Sequence, residues 1–206
     1  VGGSALISDK LAGGLGDAVV LRTPVRAVTQ TRSGVEAAAD GLTVAAQRAV
    51  VAIPPPLAAR ISFQPSLGGE RDQLAQRMAH GALTKCAAVY GEPFWRERGL
   101  TGQAVSDWGP VSTTFDNSPP DHKPGVMVGF IAGAEAVRHA RLSEAERRKV
   151  VLGCFARLYG EEALHPGIYI EQAWAEDQWS RGGPVCSFSP GALSAYCKAL
   201  RRPAGR

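Results

Sequence analysis

The chain has 206 residues, of which 45% are apolar and 20% charged, so its composition indicates an ordinary globular protein and excludes collagen-like and acidic disordered chains. No apolar segment is long enough to cross a bilayer and no signal-peptide pattern opens the chain, so we expect a soluble, cytoplasmic protein with no evident membrane contact. The formal net charge of +4 comes largely from arginines that no aromatic residues interleave, so we expect no nucleic-acid binding.

The cysteines and histidines form no recognisable metal-binding pattern. There are four of each, and neither the histidines nor the cysteines show ligand spacing. No CxxC pair occurs among Cys86, Cys154, Cys186 and Cys197. We therefore expect reduced thiols and no bound metal.

The first quarter of the chain predicts a helix followed by an antiparallel meander. Ser4 is a candidate N-cap, and leucine and isoleucine recur after it at helical spacing. Short valine-rich runs separated by turn residues then predict strands at 19–21, 25–31, 35–39 and 42–46. The continuous apolar run 49–53 predicts a strand buried on both faces, and Pro54 to Pro56 end it because proline has no backbone donor.

The remainder of the chain predicts a sheet flanked by helices. Strands are expected at 81–90, 103–106, 111–115, 126–131 and 168–174. Helical patterns cover 57–60, 69–78 and 191–200, a polar turn covers 117–124, and a tight loop covers 179–184. Ser143 and Glu146 form a capping-box signature, which predicts that a further helix begins at Glu144.

Lys85 is the most informative single residue, because it lies within the apolar strand-like run 81–90. A lysine flanked by small and aliphatic residues cannot easily reach water, and a buried ammonium without a partner is costly. Such a residue either faces a functional polar site or extends its long stem to solvent from the edge of a strand. The sequence alone leaves both interpretations open.

The order of several short motifs carries a family resemblance. They are Gly2-Gly3, Gly16-Asp17, the meander, Ala52-Ile53-Pro54-Pro55, Lys85, Glu92-Pro93-Phe94-Trp95, Met127 to Phe130, Trp174 and Trp179-Ser180-Arg181-Gly182-Gly183. With these motifs the chain resembles the flavin-containing amine oxidases, specifically the monoamine oxidase group, over essentially its whole length. The resemblance implies an α+β (α/β) fold in which a mixed-sheet substrate domain flanked by helices is joined to partial FAD-binding segments. It places the FAD-binding segments at 1–60 and 180–206 and the substrate domain at 61–179.

The resemblance also implies site residues. Lys85 matches the catalytic lysine that hydrogen-bonds a water next to the reactive flavin nitrogen. The cofactor-binding positions match Val25, Ala52, Leu57, Trp174 and Trp179, and the substrate-binding positions match Val105, Thr113 and Phe130. From the residues alone, Val25, Ala52 and Leu57 are equally consistent with an ordinary hydrophobic core. Without the resemblance, Trp174 and Trp179 are interpreted as core tryptophans.

Departures from the family pattern qualify these expectations. Gly183 and Pro184 stand where some members carry a flavin-linked cysteine and a cage tyrosine, so the resemblance implies non-covalent FAD. Cys186 lies close by but out of register, and a loop shift would be needed to bring it to the flavin. The GxGxxG turn and the Gly-Thr-Glu-Thr segment are absent, so we expect a substrate-domain fragment that is inactive alone.

The implied activity is the oxidation of a primary amine by FAD to an imine, which hydrolyses to an aldehyde and ammonia, with reoxidation by oxygen to give hydrogen peroxide. Two alternatives stay open at this point. One is an amino-acid or polyamine oxidase of the same superfamily, and the other is a non-catalytic, flavin-free binding module. The expected partners are a small amine and oxygen, and a homodimer is compatible with the sequence.

Overall fold

The computed structural model describes residues 3–121 and 123–205, which fall into two compact units. Unit 1 comprises Val1–Ala79 and Phe188–Arg206, and unit 2 comprises His80–Ser187. The sequence-based boundaries at 60/61 and 179/180 differ from these. They divide the chain by cofactor binding and substrate binding, and they stay predictions. Four residues named in the sequence predictions lie outside the described residues. They are Val1 and Arg206 at the ends of the predicted domains, Gly2 of the first motif and His122 of the predicted turn.

Short helices and strands alternate along the chain, and we number each kind in chain order. Unit 1 begins with α1 (Ala5–Leu15), β1 (Val25–Gln30), β2 (Val35–Ala39), β3 (Leu42–Ala46), α2 (Pro55–Ala58), β4 (Ser62–Gln64) and α3 (Gly69–Gln76). Then follow β5 (Met78–His80), β6 (Leu83–Tyr90), α4 (Phe94–Glu97), β7 (Ala104–Val105), β8 (Thr113–Asp116) and β9 (Gly125–Ala132). The last elements are α5 (Gly133–His139), α6 (Glu144–Tyr159), β10 (Ile168–Ala173), β11 (Cys186–Phe188) and α7 (Ala192–Arg201).

Unit 1 contains a four-stranded mixed sheet in the order β3-β2-β1-β4. β1, β2 and β3 pair as the predicted antiparallel meander, and β4 pairs with β1 in parallel. The predicted strand at 19–21 is wrong. Among the described residues no strand pairs with the backbone of this segment. Arg22, whose φ is 56°, turns the chain directly after it.

The apolar run 49–53 is not the doubly buried strand that its sequence predicts. It has no regular structure, and Val50 is 89% exposed. A strand needs a neighbour to receive its backbone hydrogen bonds, and within the described residues no strand pairs with this run. Hydrophobicity alone therefore did not decide its conformation.

Unit 2 is built on a five-stranded antiparallel sheet with the order β10-β6-β9-β8-β7. One face of this sheet is covered by α6, which contributes Val151, Leu152, Phe155 and Tyr159 to the hydrophobic core. The helix approaches closely at Gly129, where an added Cβ would lie 2.8 Å from the Phe155 ring. Burying a side chain the size of Phe155 contributes roughly 1.5–3 kcal/mol, so this contact is a main source of stability.

The capping box that the sequence predicts at the start of α6 is confirmed. Glu146 N donates to Ser143 Oγ at 3.4 Å, and Ser143 N donates to Glu146 Oε2 at 2.9 Å. Together these bonds satisfy two backbone donors that a helix start otherwise leaves unpaired. The helix ends at Gly160, whose φ of 103° is readily adopted only by glycine.

The α+β class is confirmed, with a mixed sheet in unit 1 and a helix-covered sheet in unit 2. A further two-stranded sheet pairs β5 with β11. Within the described residues, no helix combines the length and apolar character needed to cross a membrane.

Candidate functional site

Four of the predicted site residues occupy a single row across the sheet of unit 2. Lys85 on β6 is opposite Phe130 on β9, Phe130 is opposite Thr113 on β8, and Thr113 is opposite Val105 on β7. Gln172 on β10 extends the row because it is opposite Lys85 on the other side. Directly paired residues point to the same face of a sheet, so the predicted catalytic and substrate positions share one face.

This row lies on the face of the sheet that α6 does not cover. Along β6, Thr84, Cys86, Ala88 and Tyr90 are buried beneath the helix, and the residues that alternate with them are half-buried or exposed. The prediction that Lys85 cannot easily reach water is wrong, because Lys85 is exposed. Strand alternation accounts for the difference, since the apolar sequence neighbours of Lys85 point to the opposite face.

The nearest aromatic neighbour of Lys85 on the open face is Phe130. The Lys85 Nζ lies 6.0 Å from the centroid of the Phe130 ring, and Phe115 packs edge-to-face on Phe130 at a centroid distance of 5.9 Å. Val105, at the far end of the row, is 84% exposed. Among the described residues, no carboxylate forms an ion pair with Lys85, so its ammonium donors are available to water or to a ligand.

The two tryptophans that the resemblance assigns to the flavin follow β10 directly. Trp174 N donates to Leu83 O at 3.0 Å, which continues the pairing of β10 with β6 by one residue and puts Trp174 two positions from Gln172. Trp174 is 36% exposed and Trp179, in the loop that follows, is 57% exposed. Neither indole is a core residue, so the interpretation of both as ordinary core tryptophans is wrong.

The other three predicted cofactor residues lie in unit 1. Val25 begins β1 and is exposed, Ala52 lies in the irregular exposed run 49–53, and Leu57 is half-buried in α2. Unit 1 also contains a cavity of about 820 Å³ lined by residues of β1, α3 and the run 49–53, but none of these three side chains lines it. Their assignment to FAD stays a prediction.

A buried polar cluster occupies the opposite, helix-covered face of the same strands, and the sequence interpretation missed it. Glu171 accepts hydrogen bonds from Arg147 Nε at 2.6 Å, from Tyr169 Oη at 2.8 Å and from His139 Nε2 at 3.1 Å. Cys86 Sγ lies 3.9 Å from the same carboxylate. The available signal was the alternation of β10, which puts Tyr169 and Glu171 on the face opposite Gln172.

The cluster has metal-ligand residue types, which the spacing in sequence does not reveal. Ligand atoms of Cys86, His139 and Glu171 lie within 4.8 Å of one another. However, both carboxylate oxygens already accept hydrogen bonds, and burial raises the pKa of Cys86 to about 12, which keeps the thiol protonated. Burial also opposes ionisation of Glu171, but the bonds from Tyr169 and His139 outweigh it and lower its pKa. We therefore interpret the cluster as a hydrogen-bond network that joins β10 to α5 and α6.

The fold and the site together give an α+β protein with an open sheet face that carries the predicted catalytic and substrate positions. This face is mainly apolar, one lysine projects from it, and two exposed tryptophans follow β10. The profile of the family described as "Flavin containing amine oxidoreductase" matches residues 1–206. The chain belongs to this family of flavin-containing amine oxidoreductases.

Relatives and solved structures agree with this membership. The chain is 42% identical to "Probable flavin-containing monoamine oxidase A" of Dictyostelium discoideum, over 100% of the chain and 46% of that protein. It is 37% identical to "L-amino acid dehydrogenase" of Synechocystis sp., over 100% of the chain and 44% of that protein. A structure of putrescine oxidase bound to putrescine superposes with a TM-score of 0.95 at 37% identity, covering 100% of this chain and 46% of that one. The chain thus spans about half the length of the proteins it matches.

Proposed function

We propose that the chain forms the substrate wall of an FAD-dependent oxidase that converts a primary amine to an imine, which hydrolyses to an aldehyde and ammonia, while oxygen is reduced to hydrogen peroxide. The observation that carries the proposal is the row of Lys85, Phe130, Thr113 and Val105 on one open sheet face. When bound, FAD supplies the redox chemistry, taking a hydride equivalent from the carbon that bears the amine and passing its electrons to oxygen.

Lys85 acts in this proposal by holding a water molecule, not as a nucleophile. Its ammonium is exposed and has the Phe130 ring within 6.0 Å, so it combines available donors with an apolar surrounding. Once substrate and cofactor cover this face, the low local dielectric strengthens the interaction between the ammonium and a bound water. A water held by Lys85 at this position would assist reoxidation of the flavin by oxygen.

The residues beside the wall are compatible with a flat, non-covalently held cofactor. Trp174 and Trp179 are exposed, so their ring faces are available for stacking on a planar group. Gly183 and Pro184 offer no nucleophile for a covalent bond to the flavin. Burial raises the pKa of Cys186, so its thiol has little thiolate character with which to form such a bond.

The wall favours an amine with an apolar body. Phe130, Phe115 and Val105 contribute apolar surface, and Thr113 adds a hydroxyl. A second ammonium, as in putrescine, would need a carboxylate, and none belongs to this row. The similarity to the amino-acid dehydrogenase and to putrescine oxidase keeps amino-acid and polyamine oxidation as the second candidate function.

The test uses a chimeric oxidase in which this chain replaces the superposing part of putrescine oxidase, beside the purified chain itself. Each protein is incubated with FAD, freed of excess cofactor and examined by visible absorption. We expect the chimera to retain a flavin absorption band that bleaches when a primary amine is added without oxygen. We expect the isolated chain to be colourless. A folded chimera that binds no FAD would support the flavin-free binding module instead. A cytoplasmic location and a homodimer stay predictions, for cell fractionation and analytical ultracentrifugation to test.

A further inference from the structure

The loop from Trp174 to Gly183 is fixed to the sheet of unit 2 at both ends. Gly182 N donates to Trp174 O at 2.9 Å, which closes the loop on itself. Gly183 N donates to Gly81 O at 2.7 Å, and Trp174 N donates to Leu83 O at 3.0 Å. Both ends of the loop are therefore hydrogen-bonded to the segment 81–83, and Lys85 lies two residues after Leu83.

Asp177 organises the interior of this loop. Its Oδ1 accepts hydrogen bonds from Ser180 N at 2.7 Å and from Trp179 N at 3.0 Å, and its carbonyl oxygen accepts from Arg181 N at 2.9 Å. The bonds from Ser180, followed by the one from Trp179, hold the pKa of Asp177 below its usual range. The carboxylate is thus charged at neutral pH and binds the two amides on which the direction of the Trp179 side chain depends.

Burial cannot fix the Trp179 indole, because 57% of the residue is exposed. The direction of an exposed side chain is set mainly by its backbone, and here the backbone is constrained on both sides. His80 Nδ1 donates to Ser180 O at 3.0 Å, and Arg181 has a φ of 51°, a left-handed conformation that costs energy for a residue other than glycine. At Gly182 an added Cβ would lie 2.2 Å from His80 Cβ, so the chain passes too close for any larger residue.

We propose that Asp177 is a positioning residue that holds Trp179 ready to contact the cofactor. This inference rests on the proposed function, because it takes the flavin as the group that Trp179 meets. Asp177 itself does not contact the reacting atoms. Its role is to order the loop before the cofactor binds. The free energy of stacking is then not reduced by the entropy cost of fixing the loop backbone.

The first experiment measures the loop in the purified chain, without cofactor. Amide hydrogen exchange of Trp179 and Ser180 is followed by nuclear magnetic resonance in Asp177→Ala, Asp177→Asn and the control Asp107→Ala. Asp107 is a matched acid, exposed and directly before the exposed Trp108. The Ala variant should raise both exchange rates by roughly tenfold, because hydrogen bonds to a charged acceptor are lost. Asn keeps an acceptor oxygen and should preserve most of the protection.

Unchanged exchange in Asp177→Ala would overturn the inference, as would an Asn variant that loses as much protection as the Ala variant. Circular dichroism verifies that each variant folds, and the Asn variant keeps the test valid if the Ala variant does not. The control should leave both rates unchanged, and a rise there would show that any lost surface charge loosens the loop.

The second experiment uses the FAD-loaded chimera and reads the shape of the flavin absorption band rather than activity. Trp179→Phe should alter the band, Asp177→Ala should alter it in the same way, and the double variant should add nothing further. If Trp179→Phe changes the band and Asp177→Ala does not, the positioning role is overturned and the proposed function stands. If the chimera binds no FAD, the proposed function fails and this inference fails with it.

Discussion

Asp116, at the end of β8, gives the sharpest quantitative prediction for this protein. β8 carries Thr113 in the row of site residues, and Asp116 fixes the end of this strand. Its Oδ2 accepts from Arg96 Nε at 2.6 Å and from the buried Trp95 Nε1 at 2.8 Å, and its Oδ1 accepts from Ser118 N at 2.9 Å. Burial opposes ionisation of this carboxyl, but the hydrogen bonds from Arg96, Ser118 and Trp95 outweigh it and lower its pKa to about 2.

The magnitude follows from this shift. The pKa falls from an ordinary value of 3.8 to about 2, and each pKa unit corresponds to about 1.4 kcal/mol, so ionised Asp116 contributes about 2 kcal/mol. Because the folded-state pKa is depressed, this stability is fully present above about pH 4, the pKa of an unfolded-state aspartate, and is lost as the pH falls through about 2. Asp116→Asn should remove that part of the pH dependence and lower the free energy of unfolding of unit 2 near neutral pH.

The assay follows the indole N–H resonance of Trp95 against pH and urea, because this group donates directly to Asp116. The resonance should titrate with a midpoint near 2. Glu135→Gln is the matched control, because the pair of Arg138 with Glu135 is exposed and should contribute nothing measurable. A Trp95 midpoint near 4, or equal effects of the two substitutions, would refute the reasoning.

Three further predictions concern the two faces of the sheet and the loop beside it. In the FAD-loaded chimera, Lys85→Met should leave the fold intact and slow flavin reoxidation in stopped-flow measurements, and equal slowing by the exposed control Lys149→Met would remove Lys85 from this role. Glu171→Gln should destabilise unit 2 by about 3 kcal/mol in urea unfolding, because it leaves the buried His139 and the half-buried Arg147 without a carboxylate; a loss below about 1 kcal/mol would contradict the network. Gly182→Ala should lower the unfolding free energy by about 1–3 kcal/mol, because its Cβ meets His80, and a stability equal to wild type would show that the loop relaxes freely.

Local sequence patterns determined the elements whose stability is itself local. The Ser143 and Glu146 capping box predicts the start of α6, and the turn residues between valine-rich runs predict β1, β2 and β3, because these interactions join residues close in sequence. The family resemblance was carried in the same way, by short motifs in a fixed order. The run 49–53 marks where this reasoning fails, since a strand depends on neighbours that its own sequence does not specify.

Only the tertiary structure decided which side chains meet. The sequence separates Lys85 from Thr113 by 28 positions and Thr113 from Phe130 by 17, and strand register alone aligns them in one row. The same register exposes Lys85, although its sequence neighbours are apolar, and brings Glu171 to His139 and Arg147 on the covered face. A strand's sequence fixes which residues alternate, but the pairing of strands and the position of α6 decide which face is open, because those contacts join residues distant in the chain.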